Sequence, residues 1–192
     1  MKKTIVLLVS TFLLSPLTFA KDKLRATEEV LKGVYTRAGG PGGKVSLSEN
    51  LLEDLCKKGY GTAIYLYPTE NFTTKGNHPC GKNTLAYVGG GFRKGAEFGP
   101  LEKIYAAING NGGPVVAHCW NGWHASGELA AKALMQFCDY SGQQAADYWA
   151  ATIGDKGNLK KYGSILKRIK AFKPRTDLKI SSSTQAQICP NK

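Results

Sequence analysis

Short apolar runs alternate with longer segments of helical periodicity along most of this chain. The short runs are rich in β-branched and aromatic residues, so they predict buried strands rather than helices. Strands are predicted at the start of 33–43, which continues into a glycine and proline loop, and at 62–67, 85–88 and 115–117. Helices are predicted at 49–58 after a Ser48 N-cap, at 100–108 with Pro100 in the first turn, and at 126–138.

Beyond residue 126 the pattern is helical only. Apolar residues recur at helical spacing between a Ser141 N-cap and Gly154, and again over 158–172, where lysines and an arginine occupy the opposite face. Strands that alternate with helices, followed by a helical finish, indicate the α/β class. We therefore expect a central, mostly parallel sheet flanked by helices, with a helical C-terminal third.

Three segments lack a clear pattern. Residues 21–32 are polar and have some helical character, and residues 68–83 predict a long polar loop that contains His78 and Cys80. A loop of that length is typical of a functional lid or of an excursion pinned by a disulfide. After about Asp177 the composition predicts a disordered tail.

The first twenty residues have the features of a bacterial secretory signal peptide. Two lysines precede an apolar run over 4–14, and small residues precede a plausible cleavage after Ala20. The apolar run is too short for a stable membrane span, and no later segment reaches spanning length. The prediction is an exported protein, periplasmic or secreted, without a transmembrane span.

The mature chain is expected to fold as one domain over 21–177, followed by a polar tail over 178–192. The whole chain has a formal net charge of +12. Basic residues are typical of nucleic-acid binding, but here they are spread along the chain without a recognition motif, so nucleic acid is not the favoured partner. A positive field would equally concentrate an anionic ligand or surface.

Five cysteines in an exported chain predict disulfides, and the odd count leaves at least one thiol unpaired. If Cys119 is that thiol, the other four cysteines allow three pairings. We favour Cys56–Cys80 and Cys138–Cys189, because the second pair would join the polar tail to the core. The alternative is that Cys119 is itself bridged, which would exclude a nucleophilic role.

Cys119 follows directly on the apolar run 115–117, and a glycine-containing loop separates it from the helix predicted at 126–138. Such a strand, loop and helix directs backbone N–H groups and the positive end of a helix at one point. That environment favours a thiolate and binds oxyanions. The loop is therefore the candidate active site.

The residues His118, Cys119, Gly122, Ser126 and Gly127 match the His-Cys-x-x-Gly-x-x-Arg-Ser/Thr-Gly signature, and the chain resembles the cysteine-dependent tyrosine and dual-specificity phosphatases. The resemblance implies a phosphatase-like domain in which Cys119 is the nucleophile, with His118 and Ser126 beside it. It extends more weakly over residues 30–172. The rest of the phosphate-binding loop would be formed by Trp120, Asn121, Gly122, Trp123, Ala125 and Gly127.

Ala125 stands where the family has arginine. In the family that guanidinium forks onto two phosphate oxygens and stabilises the transition state, and a methyl group supplies neither charge nor donors. Loss of one such contact typically costs about 3 kcal/mol of transition-state stabilisation.

The family's general acid is an aspartate some thirty residues before the cysteine, and residues 85–98 contain none. Glu97 is the carboxylate in that segment. It is a candidate general acid if burial raises its pKa, or else a solvated residue at a helix start.

Three loop side chains have two interpretations each. His124 could donate a charge-assisted hydrogen bond in place of the absent arginine, or it could be a solvent-facing side chain beside Trp123. Trp120 and Trp123 could wall a pocket for an aromatic or sugar-like ligand, or they could fill it. The three histidines each lie near a cysteine but show no recognised ligand spacing, so neither a metal nor another cofactor is predicted.

Three functions follow as hypotheses. The first is a pseudophosphatase that binds a phosphorylated or anionic ligand, or a protein partner, without efficient turnover. The second is an active but atypical cysteine-dependent phosphatase that forms a Cys119 phosphocysteine intermediate. The third is a redox or metal role for the cysteine.

Overall fold

The structure is a computed structural model that describes residues 22–42, 44–68, 72–93, 95–154 and 159–191. The predicted signal peptide lies outside the described residues. Within the described part of the chain, none of the helices has the length and apolar character needed to cross a bilayer.

The centre of the molecule is a sheet that contains six strands from the described residues. The strands are β1 (Arg25–Leu31), β2 (Tyr35–Gly39), β3 (Thr62–Tyr65), β4 (Gly76–Cys80), β5 (Asn83–Gly89) and β6 (Val115–Cys119). Their order across the sheet is β1-β2-β6-β3-β5-β4. The four inner strands are parallel, and the outer strands β1 and β4 run antiparallel to their neighbours. The predicted α/β class with a mostly parallel sheet is confirmed.

Helices cover both faces of this sheet. They are α1 (Glu49–Lys57), α2 (Phe98–Ile108), α3 (Ala125–Phe137), α4 (Gly142–Ile153), α5 (Gly163–Ala171) and α6 (Ser182–Ile188). Helix α1 packs Leu51, Leu52 and Leu55 on one face of the sheet, and helices α2 to α5 pack on the other face. The sheet is thus buried on both sides, as parallel strands require.

Two serine caps fix helix starts that the sequence predicted. The Ser48 hydroxyl accepts a hydrogen bond from the Leu51 amide, and the Ser141 hydroxyl accepts one from the Gln144 amide. The Gln144 side-chain oxygen in turn accepts a hydrogen bond from the Ser141 amide, which completes a capping box.

The N-terminal prediction was wrong, because residues 25–31 form strand β1 and not a helical lead-in. Only Val30 and Leu31 of this strand are buried. An outer strand with so few buried positions shows no clear period of two, so its polar sequence resembled a helix.

Two further predictions need correction. The segment 68–83 is not wholly a loop, because residues 76–80 form β4 and pair with β5. The tail is also ordered, since it contains α6 behind a Ser181 cap, and the carbonyl of Ile188 accepts a hydrogen bond from the Lys32 amide. The helix predicted over 158–172 is a short 3-10 helix at Leu159–Tyr162 followed by α5.

Both predicted disulfides are present, Cys56–Cys80 and Cys138–Cys189. The first joins α1 to β4, and the second joins the end of α3 to the end of α6. Cys119 is the free cysteine among the described residues.

Candidate functional site: the Cys119 loop

Cys119 is the last residue of β6, one of the inner strands of the sheet. Its residue surface is 3% exposed, and its sulfur lies 3.2 Å from the hydroxyl oxygen of Ser126 in the first turn of α3. Strand and helix are joined by residues 120–124. The thiol and the hydroxyl therefore stand together where the loop enters the helix.

Three carbonyl groups of this loop accept hydrogen bonds from side chains of neighbouring elements. Arg25 donates to the Trp120 carbonyl at 2.8 Å, and Arg37 donates to the Gly122 carbonyl at 2.6 Å. The indole nitrogen of Trp149 donates to the Trp123 carbonyl at 2.9 Å. Three side chains from β1, β2 and α4 thus hold three carbonyl groups of the loop backbone.

The opposite side of the loop presents N–H groups. In a trans peptide the C=O and the following N–H point in opposite directions. The amides of Asn121, Trp123 and His124 therefore point away from the three donors that hold the carbonyls. Among the backbone hydrogen bonds of the described residues, none is donated by these three amides.

Gly122 lets the loop approach β2 closely. Its φ of +85° is in the left-handed region, and a Cβ atom there would lie 2.7 Å from the Gly39 nitrogen. Gly39 has the same constraint, since its own Cβ would lie 2.8 Å from the Asn121 carbonyl carbon. The glycine of the motif is thus required by backbone contact as well as by its dihedral angle.

Arg37 is a buried support that the sequence analysis did not identify as part of the site. Its residue surface is 5% exposed, and its guanidinium also contacts the carboxylate of Glu28 and the Tyr148 hydroxyl, the latter at 3.2 Å. Tyr148 in turn donates to Glu28 at 2.8 Å. Since this buried charge is both ion-paired and hydrogen-bonded, the network restrains the position of the Gly122 carbonyl.

His118 faces the other side of the sheet from Cys119, as alternation along a strand requires. Its Nε2 lies 2.6 Å from the Tyr87 hydroxyl, and its ring stacks on Tyr65 with the centroids 4.6 Å apart. Burial lowers the pKa of His118 to about 3. The imidazole is therefore neutral at ordinary pH. Its contacts with Tyr87 and Tyr65 place it on the face of the sheet that does not carry Cys119.

His124 is packed among aromatic rings. Its centroid lies 3.6 Å from that of Trp123 and 4.9 Å from that of Tyr162. Burial, and then the positive charge of Lys161, lower the pKa of His124 below its ordinary value. This environment opposes the charged form that a substitute for the missing arginine would need.

A cavity of about 350 Å³ opens beside Cys119. It lies at the carboxyl ends of the parallel strands, where ligands bind in open α/β sheets. Among the described residues that line it, two carry cationic side chains and none is a carboxylate. The lining residues are Lys44, Tyr67, Phe92, Arg93, Cys119, Trp120, Asn121, His124, Ala125, Tyr162, Ser164 and Ile165.

The two loop tryptophans have different positions. Trp120 lines the cavity, is 47% exposed and has the Lys44 ammonium 5.4 Å from its ring centroid. Trp123 does not line this cavity and packs edge-on against Tyr162. Gly127 is also away from the cavity, because a Cβ there would lie 3.1 Å from the Trp149 ring.

Glu97 lies in a buried ion-pair network behind the cavity wall and is not among the cavity-lining residues. Its carboxylate is 3.2 Å from the Lys132 ammonium, which also contacts Glu128 at 3.1 Å and donates to the Phe92 carbonyl at 2.7 Å. These contacts anchor the segment before Arg93. They give Glu97 a positional part in the wall, and they do not place it beside Cys119.

The sequence analysis did not identify the cavity-lining residues outside the cysteine loop, which include Lys44, Tyr67, Arg93 and Tyr162. The first three follow β2, β3 and β5, so the rule that ligands bind at the carboxyl ends of parallel strands could have suggested them. Among the described residues there is no group of three or more histidine, cysteine, aspartate and glutamate side chains that could hold a metal ion.

Among the comparisons with known proteins, a solved structure supports the fold. No family model matches the chain, and no curated protein matches it. The structure is similar to TpbA of P. aeruginosa with a TM-score of 0.53, at 14% identity over 80% of this chain and 92% of TpbA. A Shewanella putrefaciens CN-32 protein described as a candidate phosphatase (DUF442) gives a TM-score of 0.46, at 19% identity over 77% of this chain and 90% of that one. The fold is an α/β, phosphatase-like fold with a central sheet flanked by helices.

Proposed function

We propose that this protein is an exported, phosphatase-like protein that binds a phosphorylated or otherwise anionic ligand, free or carried by a protein partner, and turns it over inefficiently. The observation that carries the proposal is Ala125. It begins α3, is 4% exposed and lines the cavity beside Cys119, at the position where the resembling phosphatases have their arginine. A site built on this loop retains the amides but lacks the bidentate cation.

Anion binding is supported by the loop backbone and the cavity charge. The amides of Asn121, Trp123 and His124 donate no backbone hydrogen bond, and a ring of such amides is a common anion seat. The part of the adjoining cavity that the structure describes is lined by two cations and no carboxylate. Poor turnover is supported by the described lining residues, since none of them is a carboxylate that could protonate a leaving group.

Export is supported by the two disulfides, which persist in oxidising compartments. The proposed leader, residues 1–20, lies outside the described residues.

An active, atypical phosphatase is the second candidate. It is favoured by the free Cys119, whose sulfur lies 3.2 Å from the Ser126 hydroxyl. In that reaction the sulfur would attack phosphorus, the leaving oxygen would take its proton from solvent, and water would hydrolyse the phosphocysteine.

Phosphate release from p-nitrophenyl phosphate by the mature protein separates the two candidates. The nitrophenolate leaving group needs little acid assistance, so the assay favours activity. We expect the natural chain to release phosphate no faster than Cys119→Ser. Ala125→Arg should raise the rate about a hundredfold or more, because it restores the missing contact.

Ala125→Gln is the matched control, because it adds a long polar side chain without a guanidinium. Its rate should stay at the level of the natural chain. Cys119-dependent turnover by the natural chain in the ordinary enzyme range of roughly 1–10³ s⁻¹ would instead establish the active phosphatase.

A further inference from the structure

The cavity wall contains a guanidinium from outside the cysteine loop. Arg93 follows β5, lines the same cavity as Cys119 and Ala125, and is exposed. Its guanidinium carbon lies 4.7 Å from the Phe92 ring centroid. Arg93 therefore lines the same cavity as position 125, where the family has its loop arginine.

The backbone next to Arg93 is held in place by buried contacts. The preceding residue, Phe92, is 7% exposed, and its carbonyl accepts a hydrogen bond from Lys132 at 2.7 Å. Lys132 is 2% exposed and is held between Glu97 and Glu128. A buried and fully paired lysine therefore anchors the backbone that presents Arg93 to the cavity.

The rim of the cavity adds two exposed aromatic surfaces. Tyr67 is 54% exposed and Trp120 is 47% exposed, and both line the cavity. Its volume of about 350 Å³ is near the lower end of ligand sites, which span roughly 300–1,000 Å³. It therefore suits one small oxyanion attached to one flat group.

We propose that Arg93 supplies from the β5–α2 segment the guanidinium that Ala125 cannot supply from α3, so that the cavity binds an oxyanion attached to a flat aromatic group. This inference rests on the proposed function. The oxyanion lies between the loop amides and Arg93, and the flat group contacts Tyr67 and Trp120. Since Arg93 belongs to the β5–α2 segment and not to the loop, it holds the ligand without occupying the sequence position of the loop arginine.

The test is calorimetric titration of the mature protein with phenylphosphonate, whose carbon-phosphorus bond resists hydrolysis. We expect Arg93→Ala to weaken binding about tenfold to a hundredfold, as loss of a charge-assisted hydrogen bond does. The affinity of Arg93→Lys should fall between those of the natural chain and Arg93→Ala, because lysine keeps the charge but lacks the bidentate guanidinium. Inorganic phosphate should bind at least about tenfold more weakly than phenylphosphonate, because it lacks the flat group.

Lys57→Ala is the control for overall charge. Lys57 is on α1, its side chain is 62% exposed, and its loss removes the same unit of charge away from the cavity. It should leave the affinity within about twofold, since exposed charges at a distance are screened. If Arg93→Ala binds phenylphosphonate as tightly as Lys57→Ala does, the role of Arg93 is refuted while the proposed function stands. If the natural chain binds neither phenylphosphonate nor phosphate, both proposals fail.

Discussion

At the scale of single residues, the site depends on positions where the side chain is absent or is only a methyl group. Gly122 and Gly39 allow the loop to contact β2, and Ala125 leaves open the space beside Cys119. The sequence motif identified Gly122 and Ala125, because each occupies a fixed position in a short signature. It did not identify Arg93, Lys44 or Tyr67, because they reach the cavity from loops far away in the chain.

Gly122→Ala should destabilise the fold by about 1–3 kcal/mol, because it places a side chain at a positive φ and against the Gly39 nitrogen. Urea unfolding monitored by circular dichroism would measure the change. Gly163→Ala is the matched control, since Gly163 is the first residue of α5 and its Cβ would meet no atom within 4 Å. That change should raise stability by roughly 0.4–1 kcal/mol. Equal effects of the two substitutions would contradict the close contact at Gly122.

At the scale of elements, the inner strands and the helices that pack on them were predictable, because each carries a continuous apolar pattern. The strands β2, β3, β5 and β6 and the helices α1 to α4 fall where the periodicity placed them. The failures are β1, β4 and α6, which lie at the periphery and bury few residues. Their conformation is decided by partners elsewhere in the chain, which local periodicity does not record.

The Cys138–Cys189 disulfide joins α3, which begins in the cysteine loop, to α6 at the end of the chain. It closes a loop with a sequence separation of 51 residues. Replacing both cysteines with alanine should lower the free energy of unfolding by about 4 kcal/mol, as chain entropy predicts for a loop of that length. Urea unfolding would provide the value, with Cys119→Ser as a reference that retains both bridges. A loss below about 1 kcal/mol would show that the tail restrains little of the fold.

At the scale of the whole molecule, the described residues form one sheet with two apolar cores, and the cavity lies at the carboxyl ends of its inner strands. The α1 face carries His118, Tyr87 and Tyr65, and the opposite face carries Cys119. Histidine and cysteine are adjacent in sequence but belong to different cores. The α1 core thus supports the loop, and the other core contains the thiol.

The burial of His118 makes the stability of the molecule depend on pH. The pKa of His118 is lowered to about 3 by burial, whereas an unfolded histidine titrates near its ordinary value of about 6.5. Between these values the unfolded chain binds the additional proton, so stability should decrease as the pH falls from about 6.5 towards 3, by up to about 1.4 kcal/mol per pH unit. Burial also lowers the pKa of His124, which contributes in the same direction.

The pH dependence can be checked by urea unfolding at intervals between pH 4 and pH 7 for the natural chain and for His118→Gln. Glutamine does not titrate, so the variant should show a shallower slope whatever its absolute stability. Identical slopes would mean that His118 accepts a proton in the folded state without penalty.

The two outer strands have a consequence for how the molecule meets other chains. Strand β1 has register irregularities on both sides of Glu28 and Glu29, and Ala26 adopts a φ of 44°. Strand β4 contains Pro79, which has no amide hydrogen, and Cys80, which is bonded to α1. Neither margin presents an even ladder on which a foreign strand could be added. Edge-to-edge association of the sheet is therefore disfavoured, and so is binding of a partner strand by β-augmentation at β1 or β4.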